Sequence, residues 1–271
     1  MTLILDYNIF EGIELLEYSI KELRDEVDYI NVTYQNKSYW GHPIKSKDFD
    51  KLLELKNIGL IDSLTPFRFD EIAKDVMEAK ELEKKKRNES KNLCLSKGFT
   101  HYLSLDGDEF FKKEEFRKTK QYIIDNKIDF SACYYYNYYN FPIYRSKKIN
   151  SSIIPFICRL DKTKLEGAQF LGRCDPTRSY NIDKEILLKT ILFKPEDLMM
   201  HHFTNVRSDL YRKYDSTSMA GLDRNRINEI IRIIKSIYKN NLKIETDIKN
   251  LGNDSFEIVD NFFNIPLQLF I

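Results

Sequence analysis

The chain has 271 residues, long enough for one large α/β domain or two small ones with a sizeable buried core. Lys and Arg number 43 against 42 Asp and Glu, a net charge of +1, so the basic excess of a polyanion binder is absent and nucleic acid is not an expected partner. Cys94, Cys133, Cys158 and Cys174 are widely spaced and form no CxxC pair, which argues against a zinc site and against a disulfide framework.

In chain order, Met1–Tyr7 (MTLILDY) is a short apolar run suited to a buried strand. Ile13, Leu16, Ile20 and Leu23 then recur at helical spacing. Tyr29–Tyr34 (YINVTY) predicts a second strand. A short helix around Asp48–Lys56 follows, with Gly59 as its stop, and Leu60–Leu64 predicts a third strand. From about Asp70 to Ser96 the pattern is a long helix, its buried face begun by Ile72, Val76 and Ala79 and ended by Leu93. The middle of that helix (KELEKKKRNESK) is almost wholly polar and reads as a mostly solvated face. Gly98 ends it, and Thr100–Leu105 (THYLSL) predicts a fourth strand. Strand and helix thus alternate over the first 110 residues, the signature of a mostly parallel sheet covered by helices.

The second half is less regular. Ile128–Asn140, Ile153–Leu160, Ile186–Phe193 and Leu198–Asn205 are strand candidates, and Pro155 places the second of these at a sheet edge. Ile227, Ile230, Ile231, Ile234 and Ile237 mark an amphipathic helix. With no linker and no repeat, one continuous fold is expected, residues 1–110 binding nucleotide and residues 111–271 forming a variable acceptor-binding part. No apolar run approaches the ~20 residues of a membrane span and no leader pattern opens the chain, so a cytoplasmic location is expected.

In parallel sheets ligands sit beyond the carboxyl ends of the strands. There the fourth strand runs into Leu105-Asp106-Gly107-Asp108-Glu109-Phe110, two carboxylates separated by a glycine and followed by a third. Like charges this close call for a counter-cation, and hard oxygen donors without Cys point to Mg²⁺ or Mn²⁺ on a diphosphate. The competing reading is a plain hairpin turn at Asp106-Gly107.

The run from Lys84 to Phe111 resembles bacterial family-2-like glycosyltransferases of the GT-A fold, in which an Arg-Asn on a helix precedes a Gly, a buried strand and an Asp-x-Asp-Glu-Phe. The opening strand, Tyr7-Asn8 and the helix after them fit the same pattern. The resemblance implies a Rossmann-like α/β fold and a metal-dependent transfer of sugar from a nucleoside-diphosphate sugar to a carbohydrate or glycolipid acceptor. Bacterial surface-polysaccharide assembly is the setting it implies. By the same resemblance Asp106 faces ribose and metal, Asp108 binds metal, Asn8 lies against the nucleotide, and Arg87 or Asn88 lies near the diphosphate or the donor sugar. Many relatives carry Asn-Glu after the first strand, and many a base-holding carboxylate after the second. This chain has Asn8-Ile9, with Glu11 as the next acid, and Gln35.

Met200-His201-His202-Phe203 closes a predicted strand, where neighbouring side chains point to opposite faces. One imidazole can therefore join the metal, and His202, before an aromatic residue as in relatives, is the expected one. Arg207 either clamps phosphate or opens the next helix. Inversion at the sugar carbon needs a carboxylate base. Asp161, Glu166 and Asp175 are available, and Asp175 in the loop GRCDPTR is preferred. Apolar Phe262-Phe263 and Leu267–Ile271 (LQLFI) read either as a final strand closing the core or as contact with a membrane surface or a second copy of the chain. Two other classes stay open: a nucleotidyltransferase acting on sugar phosphates, and a non-catalytic scaffold.

Overall fold

A computed structural model describes residues 1–10, 12–163, 173–180, 189–217, 224–244 and 254–271. Glu11 and Glu166 lie outside the described residues, as does the start of the strand expected from Ile186. The first half follows the expected alternation: β1 (Leu3–Ile9), α1 (Ile13–Leu23), β2 (Tyr29–Gln35), α2 (Ser46–Asn57), β3 (Ser63–Phe67), α3 (Val76–Ser96) and β4 (His101–Asp106). The order β3-β2-β1-β4 is parallel throughout. The expected α/β class, a mostly parallel central sheet flanked by helices, is what the chain forms.

The remaining elements are β5 (Glu109–Phe110), α4 (Lys113–Asn126), β6 (Phe130–Tyr139), β7 (Tyr144–Ser146), β8 (Ile154–Arg159), β9 (Thr190–Leu192), β10 (Met199–Asn205), α5 (Leu210–Ser216), α6 (Arg224–Ser236), β11 (Lys243–Ile244) and β12 (Asp254–Ile258). Pro155 does not mark an edge, because β8 lies between β4 and β6. It pairs opposite Ala132 beside a register shift, where the ladder tolerates a residue with no N–H to donate. The expected C-terminal strand is instead a 3₁₀ turn at Leu267–Phe270, and Phe263 and Ile265 are the buried residues that close that part of the core.

β1 shows why one strand can serve two purposes. Leu3, Leu5, Tyr7 and Ile9 join the main core with Ile13, Leu16, Ile20 and Leu23 of α1 and Leu52 and Leu55 of α2. Each such side chain taken fully from water contributes about 1.5–3 kcal/mol. Of the alternate residues, Ile4 packs against Cys94 of α3, whereas at Asp6 and Asn8 the interface is polar. Asp6 accepts from Asn8 Nδ2 (2.8 Å), Asn31 Nδ2 (2.5 Å) and Thr33 Oγ1 (2.9 Å), while Asn31 Oδ1 accepts from Ser63 and Thr65.

That polar layer explains why the middle of α3 departs from the solvated face expected of it. The helix starts at Val76, with Asp75 accepting from the N–H groups of Met77 and Glu78. Ile72 before it is exposed, whereas Lys86, Arg87, Ser90 and Lys91 are buried. Lys86 donates to Gln35, Arg87 to Asp106 and Ser104, and Lys91 to the carbonyl of Thr163 beyond the sheet, while Ser90 shares a hydrogen bond with the Tyr102 hydroxyl. The helix thus supplies polar partners that an aliphatic stripe would not. In the second half, Ile227, Ile230, Ile231, Ile234 and Ile237 are buried as their spacing predicts, packed on Leu210 and Tyr214 of α5 and on Phe256 of β12.

Candidate functional site

The carboxyl ends of β1, β2 and β4 bring Asn8, Gln35 and Asp106 to one edge, with Asn8 the direct register partner of Asp106. Asn8 donates to Asp6 and, at 3.0 Å, to Ser104 Oγ, so its amide orientation is fixed; its buried Oδ1 has no hydrogen-bond partner among the described residues. Gln35 accepts from Lys86 Nζ at 3.1 Å and donates to the carbonyl of Lys37. Burial pushes the Lys86 ammonium down to about 8. Asn88, half-buried on α3, is not part of the cleft wall described below.

Asp106-Gly107-Asp108 is a turn, but it does not make a hairpin with β4. It carries the chain into β5, which pairs antiparallel with β10 through His201–Phe110 and His202–Glu109. The turn is tight enough that a Cβ on Gly107 would meet Ile9 Cδ1 at 2.7 Å and the carbonyl of Gly12 at 3.3 Å. Its two carboxylates go to different partners. Asp106 accepts from Arg87 Nη2 at 2.8 Å and from Arg178, and Asp108 accepts from Arg207. Burial alone would raise both acids; the guanidiniums of Arg178 and Arg87 hold Asp106 well below the usual carboxylate range, and Arg207 lowers Asp108. Glu109, almost fully buried, is raised by burial although Arg178 Nη1 donates to it at 2.8 Å.

The adjacent histidines part company. His201 is buried, with Nδ1 at 2.6 Å from the Tyr138 hydroxyl and its ring against Phe262 and Phe263. His202 turns to the opposite side, its Nε2 3.7 Å from Asp108 Oδ2, and burial lowers it to about 4, so it is neutral at pH 7. A carboxylate oxygen and a neutral imidazole nitrogen side by side are a donor pair that fits Mg²⁺ or Mn²⁺, ions that take most of their shell from phosphate and water. Among the described residues no group of three His, Cys, Asp or Glu converges on one point, and Asp106 faces guanidiniums rather than this pair.

Beside these groups opens a cleft of about 620 Å³ whose wall includes Asp106, Glu109, Asp175, Arg178, His202 and Lys213. The same cleft is also lined by Tyr135, Tyr139, Tyr214, Asn137, Asn150 and Asn205. Asp175 lies exposed at this cleft and caps the 3₁₀ turn Pro176–Arg178, accepting from Thr177 N at 2.8 Å. Asp161 is elsewhere: it lines a separate cleft of about 590 Å³ with His101, which opens β4 at the opposite end of the strand from Asp106.

Asp6, Lys86 and Arg178 were not among the residues expected at the site. A signal for the first two existed: polar residues at alternate positions of otherwise apolar strands (Asp6 and Asn8, Asn31 and Thr33, Ser104 and Asp106) require a polar partner layer above them. Arg178 comes from a loop and no periodicity announces it.

No protein-family model matches the chain, and no curated protein does. Among solved structures it is similar to S. aureus TarS residues 1–349 in complex with UDP, at a TM-score of 0.45 and 11% identity, covering 86% of this chain and 70% of that one. The same stretch of TarS in complex with UDP-GlcNAc gives a TM-score of 0.36 and 13% identity over 51% of this chain and 35% of that one. CMP:2-keto-3-deoxy-manno-octonic acid synthetase complexed with CTP gives 0.32 and 9% identity over 50% and 52%. No helix among the described residues is long and apolar enough to cross a membrane.

Proposed function

We propose that the chain is a metal-dependent glycosyltransferase of the GT-A type, moving a sugar from a nucleoside-diphosphate sugar to a carbohydrate or glycolipid acceptor with inversion, in bacterial surface-polysaccharide or glycolipid synthesis. The observation that carries the reading is the turn at the end of β4, which sets Asp106 and Asp108 beside His202, Arg87 and Arg207 at the carboxyl edge of a parallel sheet. Asn8, Gln35 and Arg87 are the residues assigned to the nucleotide, with Asp106 at the ribose and Asp108 and His202 as metal ligands. A divalent cation held there would supply Lewis-acid stabilisation of the departing diphosphate.

The chain's own side chains account for the rest. Breaking the bond between the sugar carbon and the phosphate oxygen leaves its electron pair on that oxygen, and Arg207, already within the corner, is placed to offset the added charge. The acceptor hydroxyl gives its proton to Asp175 as its oxygen bonds to the sugar carbon. The acceptor shares the 620 Å³ cleft with the donor's diphosphate, a volume within the roughly 300–1,000 Å³ of ligand sites, and occupies the part where tyrosine rings and amides suit a hydroxyl-rich chain.

The test is thermal unfolding with UDP, GDP, CDP and CMP, each with and without Mn²⁺. A ligand at a hundred times its dissociation constant adds about 2.7 kcal/mol, enough to raise the midpoint by several degrees. A shift that needs both metal and one diphosphate, and that Asp108→Ala abolishes, is the expected result. The absence of any shift in folded protein would sink the reading in favour of a scaffold.

A further inference from the structure

Lys213 on α5 is a buried cation facing the cleft beside Asp106 and His202, with 8% of its surface exposed. Its ammonium donates to the carbonyl and the hydroxyl of Thr204, which takes two of its three N–H groups. Arg87, Arg178 and Arg207 each already pair with a carboxylate of the corner. Among the described residues no carboxylate lies within ion-pair distance of Lys213. A buried ammonium without a counter-ion is costly. The cost shows in the amine itself, which burial and the neighbouring Arg207 push down to about 7. An anion arriving in the cleft would remove that penalty, and the remaining N–H is available to it.

We propose that Lys213 takes the terminal phosphate of the bound nucleoside diphosphate, and so is the residue by which this site distinguishes a diphosphate from a monophosphate. The proposal rests on the donor-site reading above and narrows it. Arg207 precedes α5 and Lys213 lies within it, so the two cations come from one short stretch of chain. Gly12, at φ +82°, leaves room for that arrangement: a Cβ there would stand 3.0 Å from Arg207 Nη2.

The experiment measures, by calorimetry in the presence of Mn²⁺, the affinity of the full chain for UDP and UMP, GDP and GMP, CDP and CMP, and inorganic pyrophosphate. In Lys213→Met, affinity for the preferred diphosphate and for pyrophosphate should fall about tenfold or more, the scale of a lost charge-assisted hydrogen bond, while the monophosphate changes less than about threefold. Lys213→Arg, which keeps the charge and is the fallback should the methionine variant not fold, should retain the preference for diphosphate. A merely structural lysine would lower diphosphate and monophosphate affinity together. Equal losses, unchanged affinities, or loss of the preference in the arginine variant would each overturn the assignment. Wild-type protein that binds none of these probes would overturn the donor site itself, and the role of Lys213 with it.

Discussion

Arg207 closes its guanidinium on the carboxylate of Asp108, 99 residues earlier in the chain, and the same carboxylate oxygen lies 3.7 Å from His202. Both partners are nearly fully buried, so neither tolerates losing the other. Arg207→Met should therefore destabilise the protein by about 3–5 kcal/mol, the cost of stranding a buried carboxylate. Arg207→Met combined with Asp108→Asn should cost clearly less than the sum of the single changes in urea unfolding. Strict additivity would show that the pair is not coupled.

Gly12 and Gly59 form a matched pair for the next prediction. Both hold left-handed backbone, φ +82° and +78°, so alanine at either should cost about 1–2 kcal/mol in strain. Only at Gly12 would the new Cβ meet a functional group; at Gly59 nothing lies within 4 Å. Gly12→Ala should thus displace Arg207 and weaken diphosphate binding, whereas Gly59→Ala lowers the melting temperature and leaves binding intact. Equal binding in the two variants would contradict the placement of Arg207 at the phosphate.

The two histidines should separate stability from ligand binding. Burial lowers His201 to about 3, far below its ordinary value near 6.5, so the unfolded chain binds the proton more readily. Stability from this group is complete above pH 6.5 and is lost as pH falls towards 3, by up to about 1.4 kcal/mol per unit. His201→Phe should flatten that acid limb, and at pH 7 should cost about 1–3 kcal/mol because the Tyr138 hydroxyl loses one of its hydrogen-bond partners. His202→Ala should instead remove the Mn²⁺ dependence of nucleotide binding with a smaller change in stability. The reverse pattern would reassign the two rings.

The alternation of the first half was legible because apolar spacing reports burial directly: Ile13, Leu16, Ile20 and Leu23 are all in the core. The same logic misread α3 and β8. Arg87 is 1% exposed in a run that looks solvated, because its partner surface is itself polar, and periodicity of hydrophobicity is blind to a polar interface. Pro155 looked like an edge marker because its ring cannot donate to a ladder, but a register shift beside Ala132 removes that demand. At the site, the acid pair at the end of β4 was visible from spacing, and the opposite orientations of His201 and His202 follow from strand alternation. Lys213 and Arg178 were not visible, since a helix of seven residues and a loop turn carry too little pattern to say which side chain is turned inward.

Asp175 poses the last test, because its carboxylate already has a structural task. Its Oδ1 accepts from the N–H of Thr177 at 2.8 Å and from its hydroxyl at 2.9 Å, fixing the turn whose Arg178 grips Asp106 and Glu109. Asparagine keeps that acceptor oxygen but cannot take a proton at neutral pH. Asp175→Asn should leave melting temperature and donor affinity within error of wild type while kcat falls about 10²–10⁴-fold, the range for loss of a general base. Asp175→Ala should add about 1 kcal/mol of destabilisation from the lost cap. Asp161→Asn, in a separate cleft, is the control and should change neither quantity. Full turnover in Asp175→Asn would leave the residue as a cap alone and move the search for the base to Glu166.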